Sequence, residues 1–373
     1  MEEKQLNGFS KFIALLVISA LVISIIIFTA NGNGFTAEDP TLNDTPSGTE
    51  PPENDVTDTP TEGTEENDQI ENTVPEIKEP VFKNVLTGLE ITESEYNSRA
   101  YGIVIDPSET IYGLSYADIA IEFPTEMGTS RMLFFSANDE VIWKIGALMP
   151  TRRFITAMSS FFGGIIVANG EDDKVDYKIS NEGALIDISK HSDCSYNENG
   201  MLYYTNEKLI DVALNRTQYV TDSGKYKSAP YLISEETLKS GIACAETVVI
   251  PYSANNVTML VYDGQSGKYI YTKNSSSKTD MLNGEPISFS NAFVLFADTT
   301  TYESSTASEL VINIEDGGSG YYFNEGKMTE LRWKTSNGSL VFTNLMGEVL
   351  QVNKGNAYIT FYKASEYSNI SMK

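Results

Sequence analysis

The chain has 373 residues, with 52 acidic against 26 basic side chains and a net charge of −26. That balance excludes a general nucleic-acid binder and excludes adhesion to an anionic bilayer surface, since both need clustered lysine and arginine. One histidine and two cysteines exclude a Cys/His zinc site and leave His191 as the sole residue for a histidine-dependent nucleophile.

Residues 12–28, FIALLVISALVISIIIF, form an uncharged apolar run. With Thr29 and Ala30 it approaches the roughly 20 residues that a bilayer-spanning helix needs. Lys4 and Lys11 precede the run, and no base follows until Lys78. The spacing predicts an anchor over residues 1–30, with the N-terminus cytoplasmic and everything after it exported as a single-pass membrane protein. A cleaved signal peptide is the competing reading, but its apolar region is usually shorter and no A-x-A-type site follows. No cysteine follows the run either, so no lipoprotein processing is expected. Residues 31–80 carry fourteen acids against one base and few large apolar side chains. Such a stretch cannot offset its ordering entropy by burial, which predicts a disordered, charge-extended tether.

From Val81 onward the pattern is that of folded chain. YGIVIDP (101–107) is a buried-strand signal, and the alternation in YADIAIEF (116–123) predicts a half-buried strand stopped by Pro124. TEMGT turns the chain and SRMLFFSA returns it, which predicts a hairpin with Glu126 near its tip. TRRFITAMSSFF (151–162) has helical spacing and ends at Gly163 and Gly164, and IIVANG follows as a strand. NEKLIDVALN (206–215) and SEETLKS (234–240) are predicted as two further helices. Beyond residue 245 the stretches ETVVIPYS, VTMLVYD, KYIYTK, AFVLFAD, ELVINIE, ELRWKTS and NAYITFYK are predicted strands. The expected fold class is α+β, with a mixed layered α/β part over 81–240 and a mostly β part over 241–373.

Several motifs carry possible chemistry. His191 and Cys194 share a polar loop with no strand-to-helix elbow. SSSK (275–278) matches the S-x-x-K of serine acyl-transferases, with KTS (334–336) as an echo, but the intervening length holds no helical domain. NGEDDKVD (169–176) clusters carboxylates without a calcium-loop register. Cys194 and Cys244 can pair in an exported protein, and the sequence leaves that open. Asp118 and Glu122 point to one strand face about 13 Å apart at roughly 3.3 Å per residue, too far to cooperate directly. Three of the six arginines, Arg131, Arg152 and Arg153, fall close together, and the last two open a helix, where an anion is favoured.

NVLTGLEI (84–91), GIVID (102–106), GLSYADIAIE (113–122), EMGTSR (126–131) and KIGALMPTR (144–152), in that order, resemble the YerB-like family of bacterial lipoproteins. That family is catalogued as a domain of unknown function, DUF 3048, with N- and C-terminal domains. LYYTNEKL (202–209), YDGQSGKYIYTK (262–273), NAFV (291–294), GKMTELRWK (326–334) and NKGNAYITFYK (353–363) extend the likeness to nearly everything after residue 80. The resemblance implies an exported, membrane-tethered protein of layered fold with no established activity. Gly88, Asp106, Gly113, Asp118, Glu122, Gly128, Arg131, Gly146, Arg152, Asp280 and Asn291 match its recurrent positions. Met149, Val167 and Met201 stand where the family has an arginine and two histidines, and the anchor replaces the lipobox cysteine. A histidine-dependent activity is therefore not expected here.

Asp118, Glu122, Arg131, Arg152, Asp280 and Asn291 are the expected ligand-binding residues, with no cofactor and no metal. The expected function is a non-enzymatic binding or adaptor module that meets a cell-envelope protein or wall glycan. The alternative is an envelope hydrolase or transferase using the acidic and arginine side chains.

Overall fold

The computed structural model describes residues 80–97, 100–137, 144–170, 185–198, 202–205, 226, 228–239, 241–303 and 308–373. The expected anchor, nearly all of the tether, the helix expected over 206–215 and the acidic stretch 171–176 lie outside the described residues. Among the described residues no helix is long and apolar enough to cross a membrane.

The elements that position the site run in chain order as follows. Helix α1 (Glu93–Asn97) leads into strands β1 (Tyr101–Ile105), β2 (Ile119–Pro124) and β3 (Ser130–Ser136). Helix α2 (Arg153–Phe162) precedes β4 (Ile165–Ala168) and β5 (Leu185–Asp187). After residue 240 come β6 (Ala243–Cys244), β7 (Thr247–Ser253), β8 (Asn256–Asp263), β9 (Lys268–Lys273) and β10 (Asn291–Ala297). The last are β11 (Gly318–Asn324), β12 (Lys327–Ser336), β13 (Ser339–Thr343) and β14 (Ala357–Lys363).

One eleven-stranded sheet runs β6–β12–β11–β10–β14–β2–β3–β1–β4–β5, with β13 paired to β12. Its middle is parallel: β14 lies between β10 and β2 and runs with both. The hairpin expected at 116–137 is there as β2 and β3, in the register Glu122↔Met132 and Pro124↔Ser130, and Glu126 opens the connecting turn. Strands from both sides of residue 240 thus share one ladder. A smaller sheet is the antiparallel meander β7–β8–β9 with short flanking strands.

The two sheets pack face to face, as apolar sheet faces must. Ile103, Ala120 and Phe134 of the large sheet meet Val248, Leu260 and Tyr271 of the small one. The opposite face, with Ile121, Phe123, Phe135, Trp333 and Phe342, packs against Phe154, Ile155, Met158 and Phe162 of α2.

Three expectations are corrected here. The fold is mostly β rather than α+β, because strands of the first part complete a sheet with strands of the second. Among the described residues only α1 and α2 are α-helical. Strand β2 is buried along both faces rather than half-buried, since the small sheet covers the side that carries Glu122. The helix expected at 234–240 is absent over 234–239. There the Glu235 carboxylate is held by Lys83 and Lys354, the Leu238 N–H donates to Asn353 Oδ1, and the Leu238 carbonyl accepts from Asn324 and Asn353. These fixed outside partners replace the i→i−4 ladder. Cys194 is buried, Cys244 is exposed, and the two are not joined in a disulfide.

Candidate functional site

The expected site residues do not converge on one point. Glu122 sits mid-strand on β2 and faces the small sheet, where both it and Lys273 of β9 are fully closed to solvent. Lys273 Nζ lies 2.5 Å from Glu122 Oε1. Ser130 Oγ (2.7 Å) donates to the same oxygen, while Tyr358 OH (2.8 Å) and Tyr271 OH (3.1 Å) donate to Oε2. Thr258 Oγ1 lies 2.9 Å from Oε2. The Lys273 ammonium also donates to Ser130 Oγ and Thr258 Oγ1, each at 3.0 Å, so its three protons are all placed. Burial pushes the Glu122 carboxyl up, but the Lys273 charge and the hydroxyl donors more than offset this and leave it below the usual carboxylate range. Burial and the Glu122 charge push Tyr252, Tyr271 and Tyr358 well above the ordinary phenol value.

Arg131 and Arg152 gather at the C-terminal end of β2. Arg152 makes a bidentate pair with Glu126 at 3.0 and 3.1 Å, and Glu126 also accepts the Leu310 N–H. Arg131 donates to the Pro150 carbonyl at 2.9 Å, and Arg153 lies 3.8 Å from the Glu309 carboxylate. Both Glu126 and Glu309 stand where an external anion would have to bind.

Asp280 and Asn291 serve two further networks. The Asp280 carboxylate is fully buried and accepts the N–H groups of Gly113 (2.9 Å), Ser115 (2.8 Å) and Leu282 (2.9 Å) and the Ser115 hydroxyl (2.7 Å). Asn291 donates to the Asn353 carbonyl and accepts from Tyr322 OH, which ties the start of β10 to the 353–355 loop. The S-x-x-K stretch is a hairpin turn: Ser275 has φ 65°, and Lys278 donates to the carbonyls of Ser108 and Glu109. Among the described residues no group of three or more His, Cys, Asp or Glu side chains is placed to hold a metal ion.

Asp118, unlike the other five, lines the groove described next. A groove of about 340 Å³ follows the N-terminal ends of β2, β10 and β14, bordered by Asn84, Tyr116, Asp118, Lys268, Ser290 and Asn356. A hollow of about 210 Å³ shares Lys268, Ser290 and Lys354 with it, and one of about 100 Å³ shares Asn84, Glu95 and Ala137. The turn 84–89 forms one wall. The Leu86 N–H donates to Asn84 Oδ1, and Gly88 takes φ 67°, where an added Cβ would lie 2.5 Å from Ile233. Gly355 closes this wall by donating its N–H to the Thr87 carbonyl. Asp118 accepts from Tyr226 OH (2.7 Å) and the Ala137 N–H (3.2 Å). Burial raises its carboxyl above the usual range, and these donors with Asn84 only partly oppose it.

A raised acid contributes stability below its ordinary pKa and loses that contribution as pH rises through the raised value. Asp118→Asn keeps an acceptor for both donors and removes the charge. It is expected to raise the midpoint of thermal unfolding at pH 7 and to leave it unchanged near pH 4. A midpoint that falls at pH 7 would contradict this account.

The groove has no compact signature in the sequence, because its polar lining is scattered over five segments. A usable signal was present: NVLTGLEI, GLSYADIAIE and NKGNAYITFYK each supply part of its rim.

Comparison with known proteins places this architecture. Residues 86–219 match the family described as "Protein of unknown function (DUF3048) N-terminal domain", and residues 248–359 match its C-terminal domain. "Putative lipoprotein YerB" of Bacillus subtilis (strain 168) is 26% identical over 296 residues, which cover 74% of this chain and 84% of that protein. The crystal structure of YerB protein from Bacillus subtilis shares the fold with a TM-score of 0.67 at 21% identity, covering 78% of this chain and 99% of that one. With both domains of the family matched in order along its length, the chain belongs to the YerB-like family of proteins of unknown function, DUF3048.

Proposed function

We propose that the chain is a non-enzymatic binding module held at the outer face of the cytoplasmic membrane, with the groove at the N-terminal ends of β2, β10 and β14 as its ligand site. The observation that carries this reading is a division of labour among polar side chains. Glu122, Arg152 and Asp280 are engaged by internal partners, while the groove is open and built by both halves of the family. An acid–arginine hydrolase would need those groups turned toward a cavity. The relative's name points to a lipid-held protein outside the cytoplasm. In this chain the run 12–28 takes the place of that lipid, and the tether of about fifty residues gives a mean reach on the order of 40 Å.

The test is a photo-crosslinking residue placed at Leu89, 47% exposed on the groove rim, in the full-length chain in intact cells. External protease should remove the folded part, and light should attach an envelope component at position 89 but not at the exposed control position Tyr367. Protection from protease, or equal capture at both positions, would overturn the reading.

A further inference from the structure

The groove's charge pattern points to a kind of ligand, and this step rests on reading the groove as a binding site. Its lining carries two acids, Glu95 and Asp118, against two lysines, Lys268 and Lys354, so it is close to neutral. Most of the remaining polar lining is amide and hydroxyl: Asn84, Thr87, Ser115, Ser290 and Asn356. Tyr116 adds a partly exposed ring. Lys354 is paired with Glu235, 2.5 Å away. Lys268 is half-buried where two hollows meet, and among the described residues its ammonium has no hydrogen-bond or ion-pair partner.

Desolvating an ammonium without a partner is unfavourable, so Lys268 is set to receive an anionic group from outside. A densely charged polymer is disfavoured by the near-neutral lining and by a chain that carries 26 more acids than bases. An open groove lined by amides and hydroxyls, with one aromatic face and a single available cation, suits an extended, mostly uncharged chain with sparse carboxylates. We infer that the groove takes a glycan of N-acetylated amino sugars bearing a carboxylate. Lys268 holds the carboxylate, Tyr116 lies under a sugar ring, and the Ser290 hydroxyl faces the acetamido and hydroxyl groups, while the Asn84 and Asn356 amides, bonded to Leu86 and Asp118 and to Ser288 and Ser290, hold the groove's shape.

The experiment uses the full-length chain in detergent and three probes of matched length. These are an N-acetylglucosamine oligomer, the corresponding oligomer with lactyl ethers carrying carboxylates on alternate sugars, and a glycerol-phosphate oligomer. Binding is read by calorimetry for the wild type, Lys268→Met and the control Lys239→Met, an exposed lysine outside the groove. The carboxylated sugar should bind about tenfold more tightly than the neutral one, as expected for one charge-assisted hydrogen bond. That advantage should vanish in Lys268→Met, persist in Lys239→Met and fall as salt rises. Equal binding of the two sugars, or an advantage that survives Lys268→Met, overturns the inference and leaves the binding-module reading standing. Tighter binding of the phosphate oligomer also overturns it. If no probe binds the wild type, the glycan inference fails, and capture at position 89 then decides the module reading by itself.

Discussion

Lys273→Met is expected to lower the unfolding free energy by about 3–5 kcal/mol at pH 7.5, because it leaves the Glu122 charge buried without its counter-ion. Methionine fills nearly the same volume, so cavity formation contributes little. The donors left to Glu122 are the hydroxyls of Ser130, Thr258, Tyr271 and Tyr358, which hydrogen-bond it but carry no charge. In the wild type the Glu122 carboxyl sits below its ordinary value, so its contribution is present above the ordinary carboxylate pKa and is lost as pH falls through the lowered folded value. In the variant burial acts unopposed by the ammonium and pushes the carboxyl up. The sign therefore reverses, and the gap between variant and wild type narrows from pH 7.5 to pH 5. Glu122→Gln combined with Lys273→Met keeps the hydroxyl network without either charge and should recover most of the loss. Urea unfolding at the two pH values measures all of this. A single variant within about 1 kcal/mol of the wild type at pH 7.5 would mean that the pair is not dry.

The same pair marks the limit of what the sequence made legible. The strands were readable from local signals: β2, β3 and their turn, α2 after Pro150, and the alternating runs after residue 245. What covers them was not. Ile119, Ile121 and Phe123 alternating with Ala120 and Glu122 look identical whether the second face meets water or a second sheet, and the partners that decide it, Lys273 and Tyr358, lie 151 and 236 positions away. The fold class shifted toward β for the same reason, since parallel pairing of β2 with β14 has no local signature. The 234–240 stretch has a fair helical composition, but contacts with Lys83, Asn324, Asn353 and Lys354 outweigh propensities of a few tenths of a kcal/mol per residue. Of the six expected binding residues only Asp118 was placed beside the groove, because type and spacing cannot tell a ligand contact from an internal one.

Asp280 draws that distinction most sharply. Its carboxylate organises the 113–115 turn through two N–H groups and a hydroxyl, and it closes its own turn through the Leu282 N–H. The adjacent Met281 N–H donates to the Ile111 carbonyl, so the loops at 111–115 and 280–284 form one unit across 165 or more positions of sequence. Asp280→Ala leaves three backbone donors without an acceptor at a fully buried position. At about 1–3 kcal/mol for each donor that stays dry, and less where water follows the half-buried Ser115, the expected loss is about 3–5 kcal/mol by urea unfolding. Asp280→Asn should be nearly as damaging, because its amide turns an N–H toward donors that need an acceptor. Tyr116 and Ala117 of the groove rim continue directly from this turn, so binding at the groove should weaken in parallel with stability. If Asp280 instead contacted a ligand directly, Asp280→Asn would fold at wild-type stability and lose binding alone. Unfolding and binding measured on the same Asp280→Asn sample therefore separate a residue that shapes the groove from one that touches what fills it.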